Sequence, residues 1–233
     1  MRDQFLNIGM GSEMNAIFVN YPNQLVSTRD GGSSFTVSSL PDDNLADVFF
    51  VDSTTAYAAG ANIWKTTDAG INWTKIYGFG PGSSYCTLYF INPQTGWYLS
   101  RYFGLNKTAD SGVTWQSVPA QFDNINNQAV FFLNADTGYV SSGLYVERTT
   151  DGGASWTKIF TGGSAYIYRD IRFVSDKTGY ITDYTHIDKT QDGGNTWSSD
   201  VSLLSNQLFA LYFTDPNHGW ACGSKGTILI YNP

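Results

Sequence analysis

The chain has 233 residues, 42 % of them hydrophobic and 16 % aromatic, and carries a formal net charge of −7. That length and apolar content suffice for one domain with a substantial core, whereas the acidic balance excludes sequence-independent nucleic-acid binding, which needs a basic surface against phosphates. No apolar run approaches the roughly 18 residues that cross a bilayer, and the opening MRDQFLNIGMGSEMN lacks the apolar segment of a signal peptide.

Five copies of Thr-x-Asp-x-Gly-x-x-(Trp/Phe) punctuate the chain. In order they are Thr28, Asp30, Gly32 and Phe35; Thr66, Asp68, Gly70 and Trp73; Thr108, Asp110, Gly112 and Trp115; Thr149, Asp151, Gly153 and Trp156; and Thr190, Asp192, Gly194 and Trp197. A recurrence of about 40 residues in a strand-rich chain predicts a propeller with one blade per repeat. The Thr hydroxyl and Asp carboxylate can bond each other and nearby backbone N–H groups, which favours a tight reversal. The Gly supplies positive φ, and the aromatic is expected to fold back beneath the turn. Five equivalent turns cannot surround one substrate, so these residues read as structural.

A second column keeps the same period. Phe50, Phe90, Phe132, Phe173 and Phe213 each stand seven residues before an aromatic: Tyr57, Trp97, Tyr139, Tyr180 and Trp220. One period before Phe50 stands Met10, with Ile17 following it, so the segment from Leu6 to Asn20 reads as a degenerate first copy. The expected fold is therefore all-β, a six-bladed propeller forming a single domain over 1–233, with blades at 5–39, 45–79, 86–119, 128–161, 169–202 and 209–233. Each blade should hold four short strands, illustrated by Asp47 to Val51, Ala56 to Ala59, Asn62 to Thr66 and Trp73 to Tyr77. The last, after strands near Ala210, Trp220 and Thr227, lacks its outer strand. Near-absence of Glu, with only Glu13 and Glu147, and the 24 glycines agree with turns and strands over helices.

Cys86 and Cys222 align with Ala46 and Ala59, so both are expected to be small buried residues and free thiols. On the inner strands, Arg172 replaces the aromatic held by Phe49, Tyr89, Phe131 and Tyr212; a carboxylate such as Asp170 or Asp183, channel water or a ligand anion would meet it. Propeller ligands approach the loops opposite the repeated turns. That face would carry Arg101, Tyr102, Tyr166, Arg169, Arg172, Tyr184 and His186, together with Asp42, Asp43, Tyr85, Asp123 and Lys225. Tyrosines there suit carbohydrate or peptide contact, and ordinary solvated loop residues are the plainer alternative. No catalytic residue, metal site or cofactor is expected. His186 and His218 have no partner at metal-ligand spacing, and no Gly-rich strand-to-helix loop suggests nucleotide binding.

The combination of these turns with Phe-x(6)-aromatic strands, as in VFFVDSTTAYAAGANIWKTTDAGINWTKIY, resembles the BNR/Asp-box repeat proteins, and among them the propellers similar to the photosystem II stability and assembly factor found in secreted bacterial proteins. The resemblance covers residues 5 to 231. It implies an extracellular, cell-surface or periplasmic module, part of a longer secreted polypeptide, that engages a protein or glycan partner without catalysis. The same box occurs in sialidases, xyloglucan-degrading enzymes and sortilin-type receptors, so a glycoside hydrolase with Asp42, Asp43, Asp123, Asp170 or Asp183 on its channel rim is the alternative. The arginine-rich docking surface of the assembly-factor group would be thin here, reduced to Arg101, Arg169 and Arg172.

Overall fold

The structure is a computed structural model that describes residues 5–20, 23–41, 44–80, 86–118, 127–142, 145–161, 168–201 and 206–231. The candidate residues Asp42, Asp43, Tyr85, Asp123 and Tyr166 lie outside these. Six antiparallel sheets account for nearly all the regular structure, spanning 5–39, 47–78, 86–117, 127–161, 170–201 and 208–231. Each follows a simple up-and-down order of consecutive strands, so the chain is an all-β, six-bladed propeller. The first five sheets have four strands. Among the described residues the sixth has three, Leu208–Asp215, His218–Gly223 and Ile228–Tyr231. In the second sheet the strands are Asp47–Phe50, Ala56–Ala59, Asn62–Thr66 and Thr74–Gly78, each within a residue of the sequence expectation. Among the described residues no helix is long and apolar enough to cross a membrane.

The chain divides into two compact units, Met1–Val118 and Pro119–Pro233, with three sheets in each. In the first unit, Ile17, Val19 and Leu25 of sheet one pack on Val48, Ala58 and Trp64 of sheet two. The opposite face of sheet two, with Tyr57, Ala59 and Ile63, packs on Leu88, Phe90, Tyr98 and Trp115 of sheet three. In the second unit, Tyr180 and Ile187 of sheet five meet Leu211 and Ala221 of sheet six in the same manner. Every such junction buries two apolar faces that alternate with one another along the strands, which is the period-2 consequence of the pleat.

The Phe-x(6)-aromatic column has a specific job in these junctions. The rings of Tyr57 and Phe90 stack at 4.3 Å, those of Tyr139 and Phe173 at 3.8 Å, and those of Tyr180 and Phe213 at 4.6 Å, each pair joining one sheet to the next. On its other side each Phe lies against a glycine of its own sheet. A Cβ at Gly96, Gly179 or Gly219 would stand 2.4 to 2.6 Å from the ring of Phe90, Phe173 or Phe213, which no side chain tolerates. The glycines of Thr95-Gly96, Thr178-Gly179 and His218-Gly219 are thus the seats of these rings.

A carboxylate adds a second link at two junctions. Asp47 on sheet two accepts the Leu88 N–H and the Thr87 hydroxyl of sheet three, and also the Asn7 amide of sheet one. Asp170 on sheet five accepts the Leu211 N–H of sheet six at 2.8 Å.

Candidate functional site

At the corners, the repeated turn forms the same bonds five times. The Thr hydroxyl donates to the Asp carboxylate at 2.7 to 2.9 Å, in Thr28–Asp30, Thr66–Asp68, Thr108–Asp110, Thr149–Asp151 and Thr190–Asp192. It also accepts the N–H of the box glycine, as from Gly153 and Gly194 at 2.9 Å. The Asp then accepts a backbone N–H four residues on, from Ser34, Asn72, Thr114, Ser155 or Thr196. These donors hold Asp30, Asp68, Asp151 and Asp192 down to about 2 and lower Asp110 as well. Gly32, Gly70, Gly112, Gly153 and Gly194 take φ of 83 to 99°, the left-handed region.

The box aromatics are less uniform than their spacing suggests. The indole N–H groups of Trp115, Trp156 and Trp197 donate to the carbonyls of Gly112, Gly153 and Gly194 at 3.0 to 3.1 Å, closing the turn. Trp115 is buried, whereas Trp73, Trp156 and Trp197 are half-buried. Phe35 folds back on its turn as expected, its ring tip 3.8 Å from where a Cβ of Gly32 would stand, but it remains 54 % exposed. It has no N–H to offer the glycine carbonyl, and the ring edge of Phe18 stands 6.2 Å away. Every box carboxylate is occupied by its own turn.

The other end of the sheets carries the diverse loops, and in sheet five it gathers several of the sequence candidates. Residue Arg169 precedes the strand Asp170–Phe173, and its N–H donates to the Thr182 carbonyl at 2.7 Å, which brings it beside the turn 183–186 that follows the strand Gly179–Thr182. The Arg169 guanidinium lies over the Tyr184 ring, 4.3 Å from its centroid, and donates to the Tyr184 hydroxyl. A cation stacked over an aromatic face in this way is held in one orientation. Asp183 shapes the turn: one carboxylate oxygen accepts the N–H groups of Thr185 and His186 at 2.6 and 2.7 Å, and His186 Nδ1 stands 3.3 Å from both oxygens. Beneath lie Tyr168 and Asp188, which sequence reasoning missed. Burial raises the Tyr168 hydroxyl, as do the carboxylates of Asp188 and Asp183; burial raises Asp188 too, helped by Asp183 and opposed by His186. The signal available for Asp188 was its column, which Glu147 and Asn106 occupy in neighbouring sheets.

Arg172 is elsewhere on the same sheet. Its guanidinium stands 3.4 Å from Asp170 and donates to the carbonyls of Leu211 and Ile171. Asp170 is buried, which raises it, and Arg172 with the N–H groups of Leu211 and Ile171 pulls it back down. Of the alternatives open in the sequence, Arg172 thus meets Asp170 and joins sheets five and six. In the first unit, Arg101 and Tyr102 form the corresponding turn of sheet three, where Tyr102 is 62 % exposed. Lys225 sits in the short 3-10 turn Ser224–Gly226 of sheet six. Cys86 is partly buried and burial raises its thiol, but Cys222 is exposed, against expectation. Its alanine-like column is covered only where another sheet packs on it. Among the described residues no group of three or more His, Cys, Asp or Glu converges as a metal site would require.

Fold and corners together define a β-propeller with a repeated Thr-Asp-Gly corner at one end of its sheets and its sequence diversity at the other. The solved structures it resembles are propellers. YCF48 bound to D1 peptide is 18 % identical, with a TM-score of 0.62 over 99 % of this chain and 94 % of that one. A family 74 glycoside hydrolase, the xyloglucanase of Xanthomonas campestris, is 13 % identical at a TM-score of 0.75, over 98 % of this chain and 45 % of that one. Virginiamycin B lyase of Staphylococcus aureus, in an inactive form with quinupristin, is 13 % identical at a TM-score of 0.79, over 98 % of this chain and 80 % of that one. No family model matches the chain, and no curated protein matches its sequence. At these identities the likeness establishes the fold, shared by an assembly-factor propeller and by enzymes alike.

Proposed function

We propose that this chain is a non-catalytic propeller module, acting outside the cytoplasm, that holds a protein or glycan partner at the loop end of its blades. The observation that carries this reading is the cluster on sheet five, where Arg169, Tyr184 and His186 stand together while Asp170 and Asp183, two of the acids the hydrolase alternative would use, are committed to structure. Asp183 is occupied by two backbone N–H groups and Asp170 by two more and Arg172. A stacked guanidinium and phenol suit a peptide carbonyl, a carboxylate or a sugar ring, and hydrolysis would need carboxylates free to exchange protons. The fold shared with YCF48, a protein captured with a bound peptide, supports the same choice.

The test is a glycan array and a peptide array on the purified chain, followed by isothermal titration of hits against Arg169→Ala and Tyr184→Ala. The expected result is a ligand whose affinity falls at least tenfold in either variant. Turnover of a polysaccharide panel, lost in Asp183→Asn, would establish the hydrolase instead, and ligands indifferent to both substitutions would move the site elsewhere.

A further inference from the structure

Sheets four and five belong to the same compact unit, and the face of sheet five turned toward sheet four changes character along its length. Phe173 of that face stacks on Tyr139 of sheet four. Two residues earlier, Ile171 begins a row that Ile181 and Asp188 continue across the next two strands. Ile171 and Ile181 are fully buried, whereas Asp188 beside them is half-buried. The pleat brings Asp183 and His186 to the same face one row nearer the loop end, where the Asp183 N–H donates to the His186 carbonyl at 3.2 Å.

Tyr168 closes this row from the side of sheet four. Its carbonyl accepts the Ser141 hydroxyl at 3.4 Å, its ring lies 5.6 Å from that of Phe160, and it is only 4 % exposed. The carboxylates of Asp188 and Asp183 both act on its hydroxyl. Among the described residues neither that hydroxyl nor the Asp188 carboxylate has a hydrogen-bond partner. In the same column of sheet three, by contrast, Asn106 donates to the Phe103 carbonyl at 2.9 Å and is satisfied within its own loop. A buried phenol and a half-buried carboxylate left unpaired side by side are costly, and one donor from outside would relieve both.

The donor this arrangement asks for is cationic, carries several N–H groups and has no lone pair to leave unsatisfied, which describes an ammonium. Asp183 adds its charge without a further bond, because its own turn already occupies it. No described cluster of His, Cys, Asp or Glu has the three members that a metal ion would require. The rings of Phe160 and Tyr168 offer an apolar wall, along which a thin alkyl stem can lie while its charged tip reaches the acids. A lysine side chain has that shape, whereas the amine of an amino sugar sits on a ring too broad to follow it. The chain's net charge of −7 also favours a basic partner. We propose that Asp188 and the Tyr168 hydroxyl receive the side-chain ammonium of a lysine on a protein partner, an inference that rests on reading this loop end as the recognition surface.

The experiment is ligand-detected saturation-transfer NMR on the full chain with N-α-acetyl-lysine amide. The same amide acetylated at Nε, glucosamine and calcium chloride serve as the other probes. The expected result is saturable binding of the lysine amide that weakens at least tenfold in Asp188→Asn, falls measurably in Tyr168→Phe and is absent for the Nε-acetylated form. Asp188→Asn keeps the shape of the residue and removes its repulsion of Asp183, so it should melt no lower than wild type, which separates lost binding from lost fold. The proposal is overturned by absence of saturable binding, by binding that survives acetylation or Asp188→Asn, or by tighter binding of glucosamine or calcium at these residues. An array peptide that needs Arg169 but ignores Asp188→Asn would keep the recognition surface and remove the lysine from it. Peptides indifferent to Arg169, Tyr184 and Asp188 alike would remove both.

Discussion

The two ends of a sheet differ in kind. At the box end, Thr190, Asp192, Gly194 and Trp197 bond only to atoms of their own turn, so the corner is the same wherever the four residues recur. At the loop end of the same sheet, Arg169 and the turn 183–186 combine residues that no other repeat carries, and their contacts run between separate segments. A repeated device serves the scaffold, and the unrepeated surface is where recognition has room to vary.

Substitutions at the two ends should therefore separate stability from binding. Trp115→Ala removes a buried indole and its bond to the Gly112 carbonyl, and a loss of about 3–5 kcal/mol is expected in denaturant unfolding. An effect below 1 kcal/mol would mean that the corner is ornamental, by the usual range for surface changes. Arg172→Leu leaves the Asp170 carboxylate buried without its cation, and a third of the Arg172 side chain reaches solvent, so about 1–3 kcal/mol is expected. Removing Arg172 raises Asp170 further, so this deficit should shrink as acidification protonates Asp170; a deficit independent of pH would assign it to lost packing. Thr190→Ala deprives the Gly194 N–H of its acceptor and Asp192 of a donor, with about 1–3 kcal/mol expected from thermal melts.

Acid offers a finer separation. Asp30, Asp68, Asp151 and Asp192 titrate near 2 in the fold against an ordinary value of 3.8, so their stabilising contribution is complete above about pH 4 and disappears as pH falls through 2. The melting temperature should accordingly fall between pH 4 and 2, and Asp192→Asn should flatten that fall. An equal slope in the variant would place the acid sensitivity outside the corners. The smallest effect on stability belongs to the loop end: Arg169→Ala should leave the melt within about 0.5 kcal/mol of wild type while abolishing partner binding. A large destabilisation would recast the stacked Arg169–Tyr184 pair as a structural prop.

Much of this was legible in the chain because the information is local. Blade number, strand positions and the Thr–Asp–Gly bonding all follow from spacing, since each corner closes within eight residues, and the Phe-x(6)-aromatic column keeps the same period, although its place in the junctions came from the structure. The burial of Cys222 was read from its column and failed. A column reports what a side chain faces only where a neighbouring sheet packs on it.

The candidate site shows the same division. Arg169, Tyr184 and His186 could be named from loop position, yet their union with Tyr168, Asp183 and Asp188 depends on a turn meeting a strand entrance across a dozen intervening residues. The identity of the partner of Arg172 was likewise undecided until Asp170 proved to lie beside it, two positions along the same strand on the edge of a buried junction. The sequence determined the repeat, because hydrogen bonds between near neighbours need only the right residues in order. The tertiary structure alone decided which faces are covered and which side chains meet, because burial and ion pairing are properties of surfaces brought together from distant parts of the chain.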